Sequence, residues 1–258
     1  MTNSSLVSGA LLSPNCSKPR NHVIDRITPH YMAGYATAYD CCKLFSNPSR
    51  KASANYCIGR DGEIWLCVEE KNRAWTSGSS INDNRAVTIE CANYTDSANY
   101  GVLPSVVWDS LVKLCVDICK RNGITRINYT GNDSGNLTMH RWFQDTDCPG
   151  PWFTYQFERL ANEINASLNG DTTKPKTYAG TYRCTVPTLN VRTKPSLSGI
   201  IVAQYHEGET VRLDNIRVIA DGYVWGRYVG ITSGEYRYLA IGPNTGKDEP
   251  TDYLVRDM

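Results

Sequence analysis

The chain has 258 residues and a net charge of only +1, so no chain-wide field draws it to nucleic acid or to an anionic membrane surface. Its length exceeds one ordinary domain, and a hydrophobic fraction of 41% suffices for packed cores, so two domains are expected. No apolar run is long enough to span a bilayer, which argues against membrane insertion. The short apolar stretch at residues 5–13 has no Lys or Arg before it, is short for an export signal, and reads as an ordered or frayed extension.

Val23-Ile24-Asp25-Arg26-Ile27 alternates and predicts a strand that delivers His30 to a sheet edge. Residues 31–45, rich in Ala and Tyr, predict a helix that stops before Asn47-Pro48. Strands then dominate to about Asn93. In the last of them, Val87, Ile89 and Cys91 share one face while Thr88 and Glu90 share the other. Ser105 is the expected cap of a helix whose stripe is Val107, Leu111, Leu114, Cys115 and Ile118, ending at Gly123. A second helix carries Phe153, Phe157, Leu160, Ile164 and Leu168 and stops at Asn169-Gly170. Helices and strands therefore mix in an α/β layer fold. Residues 169–176, with Gly, Asp, Thr, Lys and Pro, read as a linker. Beyond it, short runs at 183–186, 189–192, 200–205, 210–213, 223–228 and 236–241 are separated by Gly, Pro, Ser or Asp and predict a small β-barrel.

The chemistry centres on His140 and Cys148, because imidazole and thiolate together are strong zinc ligands. Of the four histidines, His22 precedes the first strand and His206 lies far downstream, which favours His30 as third ligand. Three ligands leave one tetrahedral position open for water, the mark of a hydrolytic rather than a structural site. Such chemistry needs a proton carrier, and Glu90, a carboxylate in mid-strand, supplies one. Aspartates 145 and 147 are candidates to orient His140, and Trp142 and Trp152 to wall the site. The ten cysteines form no regular framework and read as reduced, mostly buried thiols. Adjacent Cys41 and Cys42, and Cys115 with Cys119 one helical turn apart, leave room for a second metal site, although no histidine lies near them in sequence.

Taken in order, the strand ending at His30, the segment Ser53-Ala54-Asn55-Tyr56-Cys57-Ile58-Gly59-Arg60-Asp61-Gly62-Glu63-Ile64, Asn72-Arg73-Ala74-Trp75, the Glu90 strand, and the run from His140 to Cys148-Pro149-Gly150 resemble one family. This is the type 2 N-acetylmuramoyl-L-alanine amidases, which include bacteriophage endolysins and are related to the peptidoglycan recognition proteins. The resemblance covers residues 22–168. It implies a mixed central sheet flanked by helices, and a Zn2+ hydrolase that cuts the amide between N-acetylmuramic acid and L-alanine of the stem peptide. By the same resemblance His30, His140 and Cys148 hold the zinc and Glu90 handles protons. Where relatives carry Tyr or His before the Arg-Asp-Gly turn and Lys before the final ligand, this chain has Ala54, Asn55 and Thr146. Asn55 and Thr146 are thus candidates for a hydrogen bond to the developing oxyanion, and Trp75 for packing on sugar or peptide.

The region from 181 to 258 resembles bacterial SH3-like cell-wall-binding domains through Leu189-Asn190-Val191-Arg192, Gly208-Glu209-Thr210-Val211 and Tyr223-Val224-Trp225-Gly226. That resemblance implies peptidoglycan as the partner, with Tyr223 and Trp225 as candidate contacts, and sets the linker at 169–180. The expected protein is an endolysin made in the bacterial host cytoplasm without a signal peptide, acting on the wall after release. A bacterial autolysin of the same chemistry and a non-catalytic peptidoglycan-recognition protein are the alternatives. The sequence carries no signal of oligomeric state.

Overall fold

The computed structural model describes residues 2–95, 101–170, 179–214, 217–230, 233–246 and 250–257. The chain divides into two units, Met1–Thr172 and Thr173–Met258. Most of the expected linker, residues 171–178, lies outside the described residues.

In the first unit the strands are β1 (Gly9–Ala10), β2 (Cys16–Ser17), β3 (Arg26–Tyr31), β4 (Tyr56–Ile58), β5 (Ile64–Leu66), β6 (Arg73–Ala74) and β7 (Ala86–Cys91). The helices are α1 (Ala38–Ser46), α2 (Ser80–Arg85), α3 (Ser105–Asn122) and α4 (Pro151–Leu168). Five strands form a mixed sheet in the order β1-β5-β4-β7-β3, while β2 and β6 pair separately. β7 lies parallel to both β3 and β4, and β4 runs antiparallel to β5. β3 and β7 are buried almost end to end, as expected of parallel strands covered on both faces. Pro29, which cannot donate to a ladder, is tolerated because β3 is the edge strand. Residues 1–21 belong to this unit. β1 pairs with β5, and the buried Arg20 guanidinium donates to the carbonyls of Glu70, Asn72, Asp83, Asn84 and Ala86.

The helix expected over residues 31–45 begins only at Ala38. Tyr31 still belongs to β3, and Ala33 adopts a left-handed φ of 51°. Thr37 then caps α1 by accepting from Asp40 N–H, and Glu63 Oε1 accepts from Ala38 N–H at 2.8 Å. That second contact gives the Gly59-Arg60-Asp61-Gly62-Glu63 turn its task, since it fixes the start of a helix that walls the site. α2, capped by Ser79, was not legible because its six residues carry no apolar period. Ser105 is the first residue of α3 and Pro104 stands at the cap position, so the expected Ser105 cap is shifted by one. α3 ends where expected, at Gly123 with φ 69° and its N–H on Cys119 O. α3 packs on α4, burying Val107, Leu111, Leu114, Cys115 and Ile118 together with Phe153, Phe157, Leu160 and Ile164.

The second unit is all β. Its strands are β8 (Gly180–Cys184), β9 (Leu189–Arg192), β10 (Ile201–Tyr205), β11 (Thr210–Leu213), β12 (Arg217–Ala220), β13 (Tyr223–Val229), β14 (Tyr236–Pro243) and β15 (Leu254–Arg256). They form a five-stranded sheet, β10-β9-β14-β13-β12, and a three-stranded one, β11-β8-β15. A single core of Tyr182, Val191, Val211, Val224, Leu239, Ile241 and Leu254 joins them. The strand expected at 183–186 starts earlier, because residues 180–183 pair with β11. No helix among the described residues is long and apolar enough to cross a membrane.

Candidate active site

β3 and β7 run in register, and His30 stands directly beside Glu90. On the other edge of β3 the chain at Asn136–Thr138 docks as a further extended segment, through Ile27 N–H to Asn136 O and Thr138 N–H to Ile27 O. A buried polar cluster locks that docking. Thr28 Oγ1 and Thr138 Oγ1 lie 2.9 Å apart, and Asn82 donates to Thr28 while accepting from Thr138 and Arg26. Its product is position: two residues beyond Thr138, His140 opens the 3-10 turn His140–Trp142 next to His30.

The loop then returns on itself, with Arg141 N–H donating to Cys148 O, and brings Cys148 back to the same point. Gly150, at φ 88°, turns the chain into α4, and a Cβ there would lie 3.0 Å from the Tyr31 ring. The Pro-Gly pair after the thiol thus serves a close approach that a larger residue would obstruct.

His30, His140 and Cys148 converge. Their ligand atoms all lie within 4.8 Å of one another; Cys148 Sγ is 3.4 Å from His30 Nδ1, and the two imidazoles are 4.8 Å apart at 59°. Gln144 Oε1, 3.2 Å from His140 Nε2, orients that ring, a role the sequence reading gave to Asp145 or Asp147. Burial holds His30 well below the usual histidine range, helped by His140, and burial likewise lowers His140. Both rings are neutral and able to ligate. Burial pushes the Cys148 thiol up, with Glu90 adding to it, so a cation is what would hold this sulfur as thiolate.

The fit to a metal is tested by what is left unpaired. His30 Nε2 and Glu90 Oε2 are shielded from solvent without a hydrogen-bond partner, a costly arrangement in a buried site. Two imidazoles and a thiol are a borderline-soft donor set suited to zinc. The carboxyl of Glu90 is pushed up to about 8 by burial, against the pull of Arg50.

These groups line a cavity of about 300 Å³, whose other walls include Tyr31, Asp40, Cys41, Arg50 and Thr146. Thr146 Oγ1 accepts from Cys148 N–H. Arg50 was missed by the sequence reading. Asn47-Pro48 marked a turn, and Asn47 Oδ1 does accept from Ser49 N–H, but nothing in the pattern aimed Arg50 at the cavity.

Asn55, Trp75 and Trp225, expected as contacts, are committed elsewhere. Asn55 is fully buried and committed to the sheet, accepting from Thr88 N–H and donating to Val68 O. It therefore cannot serve substrate. The Trp75 indole donates to Ser17 Oγ, while Trp75 N–H donates to Ser53 Oγ; the residue anchors its loop and does not line the cavity. Trp225 is 1% exposed and donates to Ala220 O, which makes it core. Tyr223 is half-buried against Trp225 and Tyr253. Trp142 stacks on Tyr129, and Trp152 packs edge-on against Trp108, so neither walls the cavity.

A three-donor set open to a cavity, with a shielded carboxyl beside it, is a group that could hold a metal ion. Residues 20–151 match the N-acetylmuramoyl-L-alanine amidase family model. The chain belongs to that family. Similar solved structures include a mutant of PlyL (11% identity, TM-score 0.49, covering 62% of this chain and 98% of that one). The PlyG catalytic domain is another (17% identity, TM-score 0.48, 66% and 99% covered). Ly7917 with the hydrolysing product of MDP shares 34% identity at a TM-score of 0.26, over 31% of this chain and 33% of that one. Among curated proteins no match is found.

Proposed function

We propose that the protein is a zinc-dependent amidase of the bacterial cell wall, cleaving the bond between N-acetylmuramic acid and the L-alanine of the stem peptide. The observation that carries this reading is the meeting of His30, His140, Cys148 and Glu90 at one cavity in a member of this family. His30, His140 and Cys148 are the residues that would hold zinc. When bound, the metal supplies Lewis acidity toward the scissile carbonyl and toward water.

Glu90 moves the protons. Burial brings its carboxyl close to neutral pH, where it both accepts a proton at Oε2 and returns it to the leaving amine. Thr146 lines the cavity, and its hydroxyl is the donor assigned to the developing oxyanion. Arg50 adds a positive charge at the rim, suited to a carboxylate of the peptide.

The second unit is assigned as an SH3-like wall-binding module, which would raise the local concentration of substrate by tethering. Support comes from its small two-sheet, antiparallel build. The protein would then act as an endolysin, reaching the wall after release from the cell that makes it.

The test is product analysis on purified walls with the full chain. Amidase action yields new amino groups and no new reducing sugar ends, and chelator stops it. In chelator, co-sedimentation with walls should persist through the second unit. Binding without product in zinc-supplemented buffer would instead support a recognition protein.

A further inference from the structure

A second group of sulfurs lies behind the cavity wall. Cys42 of α1, Cys57 of β4 and Cys67, the residue after β5, place their Sγ atoms within 4.8 Å of one another. All three are 0% exposed. Cys41, the residue before Cys42 on α1, lines the cavity. The surroundings are apolar, with Ala38, Phe45 and Ala54 in the same cluster and Leu11, Met32 and Trp65 packed against it.

An isolated buried cysteine is explained as a small hydrophobe. Three from three separate elements, aimed at one point, are not: methyl or isopropyl groups would fill the space without needing sulfur. A disulfide would use two and leave the third idle, and the structure holds all of them as free thiols. Convergence of three sulfurs is what a thiophilic cation requires. Zinc–sulfur bonds of about 2.3 Å set tetrahedral sulfurs about 3.8 Å apart, so the present spread needs to close by only about 1 Å.

We propose that Cys42, Cys57 and Cys67 bind a thiophilic d10 cation of the zinc class, as a structural site separate from His30, His140 and Cys148. Cys41, adjacent to Cys42 on α1 and in the same buried cluster, is the candidate fourth thiol. The site would clamp α1 onto β4 and β5, and α1 carries Asp40, Cys41 and Leu44 to the cavity. Cys57 is also the strand partner of Glu90, so the clamp would stiffen the sheet where the proton carrier sits.

The experiment is zinc counting by mass spectrometry on the full chain, purified from zinc-supplemented culture, beside the His30→Ala/His140→Ala double variant. Two zincs per chain in the wild type and one in the double variant are expected, the remaining one showing sulfur-only coordination at about 2.3 Å by X-ray absorption. Cys67→Ser should remove that ion and leave the imidazole-bound one. If Cys67→Ser does not fold, the wild-type and double-variant counts still decide. A single wild-type zinc with sulfur-only coordination, retained in the double variant, supports this site and removes the first. A double variant empty of metal, or an intact mass showing a disulfide within the cluster, overturns the proposal.

Discussion

Replacing Glu90 by Gln in metal-free protein is expected to stabilise the fold, and to do so only above a definite pH. The carboxyl is shielded and Oε2 has no partner, so burial raises it from 4.5 to about 8. The folded protein therefore keeps a proton that the unfolded chain releases. Stability linked to this group is fully present below pH 4.5, declines as pH rises toward 8, and is constant beyond. At about 1.4 kcal/mol per decade of proton concentration, the full displacement corresponds to about 5 kcal/mol. Because the side chain reaches a cavity open to solvent, about 3 to 5 kcal/mol is the working range. Gln has the same shape and does not titrate. Urea unfolding of both proteins in chelator, from pH 5 to pH 9, should show a difference that grows from near zero to that range. His30 and His140, held low by burial, lose stability in the opposite direction, as pH falls below 6.5, but equally in both proteins. A difference that stays flat with pH would refute the burial argument for Glu90.

The same substitution in zinc-loaded protein should retain the metal and lower turnover roughly 10² to 10⁴-fold, the usual contribution of a positioned acid or base, as read from amino-group release. Arg50→Ala removes the charge that opposes the upward push on Glu90, so carbon NMR of the metal-free Glu90 carboxyl should titrate at higher pH than in wild type. Arg20→Ala strands five carbonyls, four of them in buried contacts, and should cost about 3 to 5 kcal/mol in urea unfolding. Trp75→Phe loses one indole hydrogen bond to Ser17; about 1 kcal/mol of stability should go while the rate of product release stays unchanged, whereas a substrate-stacking Trp75 would show a raised KM.

The legible part of the site was carried by residue type and strand periodicity. Zinc-ligand chemistry singled out His140 and Cys148, whereas the strand carrying His30 was expected too early: the alternating run at 23–27 meets the observed strand only at Arg26 and Ile27, and β3 is buried without alternation. Glu90 stood out as a carboxylate in mid-strand, and the strand register places it beside His30. Aromatic residues misled for a physical reason. A Trp can bury nearly all of its surface while satisfying its one N–H, and sequence does not tell whether that partner is a loop serine, as for Trp75, or a backbone carbonyl, as for Trp225.

Asn55 shows the same limit for amides, since a side chain with one acceptor and two donors can close a strand junction as readily as it can meet a substrate. Arg50, Gln144 and the Thr28–Thr138–Asn82 cluster were invisible for a further reason. Arg50 and the cluster act across tens of residues, and Gln144 reaches His140 through an irregular turn only four residues away, contacts that no local period records. The cysteines join the two cases: in sequence they show only the adjacent Cys41 and Cys42 and the helical spacing of Cys115 and Cys119, and the packing of α1 on β4 and β5 is what brings Cys42, Cys57 and Cys67 together. Candidate ligand types are thus readable from the chain when few residues can do the chemistry, whereas the residues that aim those candidates are common types whose task is set by the fold around them.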